Sequence, residues 1–429
     1  MQTDRLFHKN FTLVIIGQII SILGNTILSF ALPLHLLTLT GSATIFGTVM
    51  AISIIPTILL SPIGGMISDR VNRRNIMVIL DFVTCAIILL IGCFISNMAV
   101  LSICVGQILL SIIRSFYQPA VQACVPSITS PKNLLKANSL VNMIGSVSML
   151  VGPVVGGFLY GFFGIIPIII ISCIAFFISA VMELFIQLPF IKQSTEHNIL
   201  ATVKKDFRDS IHFIIKENPA IAQTIGFSAL LNMILSSLLN IGIPYIINIK
   251  LELSSELYGI AQSAMGIGGL LGGLLVGVLA TKINSKNVNV IILSSILSVL
   301  PIGISLLLAL GQMPSFWIIA ISTLLTMLFA TMISIIAITY VQRVTPTEMT
   351  GKIMSFVMTV CMCAMPIGQA IYGFLFETIA DVHWIIFSAI AIMVVITILF
   401  RNSWSELITG SNHEVNPTLV DSELAQYIN

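Results

Sequence analysis

Twelve runs of apolar residues, each long enough to cross a lipid bilayer, leave this 429-residue chain little choice of architecture. Within hydrocarbon a helix satisfies its backbone hydrogen bonds inside its own segment, and about 20 residues span the core. The runs fall near 11–39, 44–68, 75–96, 99–122, 138–163, 165–190, 220–248, 257–280, 288–310, 315–341, 352–378 and 383–401. Charged residues make up only 8% of the sequence, where a soluble domain carries about 25%. The expected fold is therefore an all-α membrane protein with twelve transmembrane helices. The first run is too long for the apolar segment of a cleaved signal, so it reads as a retained span. Seven cysteines lie mostly inside the runs without metal-ligand spacing. They read as small packing residues, and no metal is expected.

Charge is sorted along the chain, so the net charge of +2 gives no reason to expect a nucleic-acid partner. With the N-terminus in the cytoplasm, 17 of the 19 Lys and Arg fall on the cytoplasmic side; Lys250 lies outside and Arg114 within a span. Basic loops stay cytoplasmic. A multi-pass protein of the cell membrane, with both termini cytoplasmic, is the expectation. The sequence also repeats itself. A shift of 212 residues lays Phe46-Gly47 on Tyr258-Gly259, Gly65 on Gly277, Arg70 on Lys282, Asn72 on Asn284 and Arg74 on Lys286. Asp69 falls on Thr281, so the second copy lacks the carboxylate. Two pseudo-symmetric six-helix halves follow, 1–190 and 220–401, with a linker at 191–219 and a polar tail at 402–429. In the linker, Val203, Phe207, Ile211 and Ile214 recur at helical spacing among charged residues. That pattern predicts an amphipathic helix on the cytoplasmic surface, tethering the halves.

The turn between the second and third runs places Asp69, Arg70, Arg73 and Arg74 within six residues, just after Gly64-Gly65. Positive-inside anchoring accounts for the arginines but not for Asp69 or the spacing. Gly65, Asp69, Arg70, Arg73 and Arg74 resemble the loop 2–3 signature of the major facilitator superfamily. Asn72 stands where that family usually has Gly, a mild departure if the turn is left-handed. The resemblance implies the major facilitator fold, a substrate site between the halves near the midplane, and a conformational switch at these five residues. In the family fold Asp69 would meet the start of span 11 only when the cytoplasmic ends close.

Span 5 carries Gly145, Gly152, Pro153, Gly156 and Gly157. Gly145, Gly152 and Gly156 share one helix face, where ordinary close packing and a sliding seal are both possible. Gly-Pro-x-x-Gly-Gly in a fifth span resembles the superfamily's antiporter motif, which implies export. Arg114 is the only basic residue inside a span, and burying it unpaired costs several kcal/mol. Its context resembles the family's fourth-span arginine motif, with Tyr117-Gln118-Pro119 departing from the usual sequence. It either pairs with Asp81 in span 3, as an intramembrane coupling charge, or snorkels to an interface if Pro119 ends the helix. Glu183 and Glu377 read as interfacial. Gln18, Asn25, Asn142, Met149, Asn232, Ser236, Gln262, Met358 and Met362 are candidate cavity residues. Such a lining is soft and weakly polar, suited to amphipathic substrates and poorly suited to sugars or phosphates.

No phosphate-binding Gly-x4-Gly-Lys-Ser/Thr loop is present, and no cluster suits metal or nucleophilic chemistry. No cofactor is expected. Gly17-Gln18, Ala31-Leu32-Pro33-Leu34, Thr40-Gly41-Ser42, Arg114 through Ala120 and Ala137-Asn138-Ser139-Leu140 resemble the macrolide-efflux branch of drug:proton antiporters. The resemblance implies a monomeric secondary transporter exporting drugs or other amphipathic molecules, apolar or cationic, in exchange for protons by alternating access. Alternatives are a siderophore or lysophospholipid exporter or flippase and, from another class, a membrane-embedded enzyme. The enzyme would need converging ionisable residues that the sequence does not offer.

Overall fold

The computed structural model describes residues 7–130, 133–187, 208, 210–279, 285–346 and 349–400. The tail, Thr281 and most of the linker, including Val203 and Phe207, lie outside the described residues, as do the side chains of Asp69 and Arg70. Helix α1 is Lys9–Thr40 and α2 is Ala43–Arg70. The 56-residue helix Arg73–Ile128 is broken at Met98 (φ −139°, ψ 52°), which divides it into α3 (73–97) and α4 (99–128). Then follow α5 (Leu134–Phe163), α6 (Ile165–Leu184), α7 (Pro219–Lys250) and α8 (Ser255–Leu279). Helices α9 (Val288–Leu307), α10 (Gln312–Val344), α11 (Thr350–Thr378) and α12 (Val382–Leu399) complete the twelve.

Because successive helices alternate in direction, the bundle has two ends. One carries Arg73 and Arg74 at the α2–α3 turn and is called the basic end; the far end carries the α1–α2 and α11–α12 turns. At the basic end Asn72 caps α3, its side-chain oxygen accepting from the Arg74 N–H at 3.1 Å. Its φ is −59°, so the left-handed turn considered for this residue is not formed. Capping is the reason an Asn suits the position.

Within the first half α1 packs on α5 and α6, and α2 packs on α4. The second half repeats the latter arrangement: Gly268 and Gly272 of α8 lie against the Leu324 and Leu328 carbonyls of α10. Small residues let backbones approach where no water-driven force presses helices together. Helix α4 does not stop at Pro119 but continues through Pro126 to Ile128. The ring at Pro119 frees the Ser115 carbonyl four residues back, and Gly64 of α2 packs against that carbonyl. Arg114 therefore stands 14 residues from Ile128 and 16 from Met98, roughly 21–24 Å from either end. The snorkelling reading is thereby overturned.

Candidate functional site

A cavity of about 800 Å³ runs from the middle of the first half toward the basic end, walled by α1, α4 and α5. Of the residues expected there, Gln18, Asn25, Asn142 and Met149 line it, together with Ser29, Gln118, Gln122, Asn138 and Gly145 of the span 5 motif. Among the described residues, Arg114 is its only charged wall residue. Its Nη2 donates to Asn25 Oδ1 at 3.3 Å and to Ser29 Oγ at 3.2 Å. In the second half a cavity of about 270 Å³ lies among α7, α10 and α11, lined by Asn232, Met358, Cys361, Met362 and Met365. Asn232 opens a stretch of wider π turns in α7, a local feature that often accompanies function. Ser236 bonds to Asn232 Oδ1 at 3.3 Å but, like Gln262, stands outside both linings.

Asp81 and Arg114 do not form the expected pair. They share the wall of a pocket of about 50 Å³, but Asp81 is 1% exposed and lies beside Ser179 of α6. Its neighbour is Glu183, also on α6, which is 0% exposed. The interfacial placement expected of Glu183 is thus corrected, because α1, α3 and α4 cover the end of α6. Tyr117 Oη donates to Glu183 Oε1 at 2.9 Å, and Gln18 Nε2 donates to Tyr117 Oη at 2.8 Å. The second oxygen of each carboxyl, Asp81 Oδ2 and Glu183 Oε2, is buried without a hydrogen-bond partner among the described residues. Two neighbouring buried carboxyl groups, each with an oxygen that no described protein group satisfies, can hold a proton.

Arg73 and Arg74 of the signature turn hold this cluster's rim. Arg73 donates to the Ser68 carbonyl at 3.2 Å and to the Ala123 carbonyl of α4 at 2.9 Å. Arg74 donates to the Glu183 and Leu184 carbonyls, at the C-terminus of α6. A cation there satisfies carbonyls the helix leaves open. Gly65 and, on α11, Gly351 face open space.

The far end is closed by two seams between the halves. In one, Gly47 of α2 meets Gly373 of α11, where a side chain on Gly47 would lie 3.0 Å from the Gly373 Cα. In the other, Gly157 of α5 meets Gly259 of α8, with the Ser255 carbonyl 2.7 Å from where a Gly157 side chain would begin. Ser263 Oγ of α8 donates to the Leu150 carbonyl at 2.6 Å across this second seam. Glu377, at the end of α11, caps α2 across the first: its Oε2 accepts from Ser42 Oγ at 2.5 Å and from the Thr44 N–H at 2.8 Å. Within the span 5 motif, Gly152 and Gly156 pack instead on Thr26 and Phe30 of α1, in their own half, while Gly145 opens on the cavity. Glu183, Tyr117 and Glu377 were not among the expected site residues.

Solved transporters share this architecture. A bacterial homologue of the iron transporter ferroportin, crystallised in an inward-facing state, superposes with a TM-score of 0.72 at 16% identity, over 92% of this chain and 98% of that one. By sequence the chain is 24% identical over 384 residues to macrolide efflux protein A of Streptococcus pyogenes, covering 88% of this chain and 92% of the relative. It is 23% identical over 378 residues to the enterobactin exporter EntS of Citrobacter koseri, with 85% of each chain covered. The family model for the Major Facilitator Superfamily matches residues 14–219 and 225–411. The chain is a membrane transporter and belongs to the Major Facilitator Superfamily.

Proposed function

We propose that this transporter exports amphipathic small molecules from the cell by alternating access, exchanging them for protons. The observation that carries the reading is the asymmetry of the bundle: cavities in both halves extend toward the basic end, while glycine seams close the far end. Positive-inside sorting makes the basic end cytoplasmic, so the structure is the inward-open state, ready to load from the cytoplasm. The names of the relatives, macrolide efflux and enterobactin export, support outward transport of large amphipathic cargo. The Asp81–Glu183 cluster is the proton site in this reading, reached through Tyr117 and Gln18 rather than through an ion pair with Arg114. A protein working as a monomer in the cell membrane completes the proposal.

Everted membrane vesicles test it. Vesicles containing the protein should accumulate an amphipathic fluorescent substrate when a pH gradient, acid inside, is imposed, and should release it on adding an uncoupler. Accumulation that needs ATP and survives the uncoupler would overturn the proposal.

A further inference from the structure

The charge of the cargo can be read from the cavity walls. Among the described residues, Arg114 is the only charged one lining the large cavity, and none lines the smaller one. Its two hydrogen bonds, to Asn25 and Ser29, are both to neutral groups and both use Nη2. No described carboxylate lies within 4.0 Å of its nitrogens. A guanidinium carries five N–H donors in a rigid fork, and neither described hydrogen bond uses Nη1 or Nε. Asp81 shares a small side pocket with Arg114 but is 1% exposed and forms no ion pair with it.

We infer that the cargo is an anionic amphiphile, with a carboxylate, sulfonate or phosphate head docked on Arg114 and an apolar body reaching the Met358–Met362 face. The inference deepens the export reading and rests on it for the identity of the cavity as the cargo site. An uncompensated guanidinium in a cavity walled by low-dielectric protein attracts an oxyanion and repels an ammonium. The fork matches an oxyanion bidentately, adding direction to the attraction. The amides of Asn25 and Gln118 beside it donate to an anion as well. Met149 in the same cavity, and Met358 and Met362 in the cavity of the second half, supply deformable apolar surface that accepts bodies of varied shape. This reverses the charge expected from the resemblance, under which cationic drugs would be natural cargo.

The test uses the purified full-length protein in a neutral detergent and three dansyl probes on one undecyl chain: the carboxylic acid, its carboxamide and the primary amine. Fluorescence titration of the unsubstituted protein should rank acid above amide above amine, with the acid about tenfold or more tighter than the amine. Arg114→Gln should bring the acid-to-amide affinity ratio to about one, and Arg114→Lys should keep it above one. The amine binding as tightly as the acid, or an acid-to-amide ratio that Arg114→Gln leaves untouched, would overturn the inference. If Arg114→Gln does not fold, the three-probe ranking of the unsubstituted protein decides alone. Vesicles that fail to export the acid while the purified protein still prefers it would overturn the export reading and leave the charge assignment standing. Export with a preference for the amine would do the reverse.

Discussion

Among the described residues, Tyr117 donates the only hydrogen bond that Glu183 receives from another side chain. Replacing it with Phe strips a buried carboxyl of its donor and leaves Gln18 without its acceptor. An orphaned buried polar group costs about 1–3 kcal/mol. Tyr117→Phe should therefore lower the melting temperature of the detergent-solubilised protein, while Glu183→Gln, which preserves the acceptor for Tyr117, should not. If the cluster holds the coupling proton, Glu183→Gln should still exchange substrate across proteoliposomes at equilibrium but lose accumulation driven by a pH gradient. A Glu183→Gln protein that still concentrates substrate against such a gradient would remove the cluster from the coupling mechanism. Glu183 was not legible as a site because sequence gives distance from a helix end, not what covers that end. Only the packing of α1, α3 and α4 over α6 shows that a residue next to the terminal Leu184 is fully buried. Arg114 was legible as unusual from its type alone. Its partners were not, since pairing with Asp81 depended on where α4 ends, and two prolines inside α4 concealed that.

At the level of helices, adjacent glycines of α5 do different work. Gly152 faces Thr26 of α1, so a side chain there is overpacked inside one half of the molecule in every state. Gly157 faces Ser255 and Gly259 of α8, across the boundary that must part when the far end opens. Overpacking typically costs about 1–3 kcal/mol. Gly152→Leu should show that cost as lower thermal stability. Gly157→Leu should lose much less stability, because the halves can separate to relieve the clash, and should move the population toward the state open at the far end. The comparison is made by melting temperature together with accessibility of a cysteine placed at Thr44 to a membrane-impermeant maleimide. Equal loss of stability in the two variants, with unchanged labelling, would mean the seams are fixed packing and not a gate. Twelve helices could be read from hydropathy because a membrane span is a local property of about 20 residues. The glycine motif could be read as close packing for the same reason. Which neighbour each glycine meets is a property of helix rotation, and periodicity placed Gly145, Gly152 and Gly156 on a shared face without showing that Gly145 would be left open to the cavity.

Across the whole molecule, α2 and α11 carry a carboxylate at opposite ends of their contact. Glu377 of α11 caps the N-terminus of α2 in the state seen here. Asp69, ending α2 at the basic end, is placed by the family resemblance to meet the start of α11 in the opposite state, and Gly351 there now faces open space. The repeat maps Gly47 on Gly259 (47 + 212), one glycine of each seam, but not the glycines they meet, and neither the seams nor the reciprocal carboxylates were legible before the fold. A carboxylate at an exposed helix N-terminus contributes about 0.3–1 kcal/mol, reduced by salt. An interaction present in one state only shifts the equilibrium by its full value, here about two- to fivefold. A cysteine pair at Gly161 and Glu256 reports the balance. A Gly161 side chain would begin 2.9 Å from Glu256 Oε2, so shortening Glu256 to Cys leaves room for a disulfide across the closed far end. Oxidation should trap this state and stop transport, and reductant should restore it. In that background Asp69→Asn should raise the rate of disulfide formation and Glu377→Gln should lower it, each by about two- to fivefold at low salt and less at high salt. If both substitutions leave the rate unchanged, neither carboxylate sets the balance between the two states, and alternating access in this protein is governed by the seams and the cargo alone.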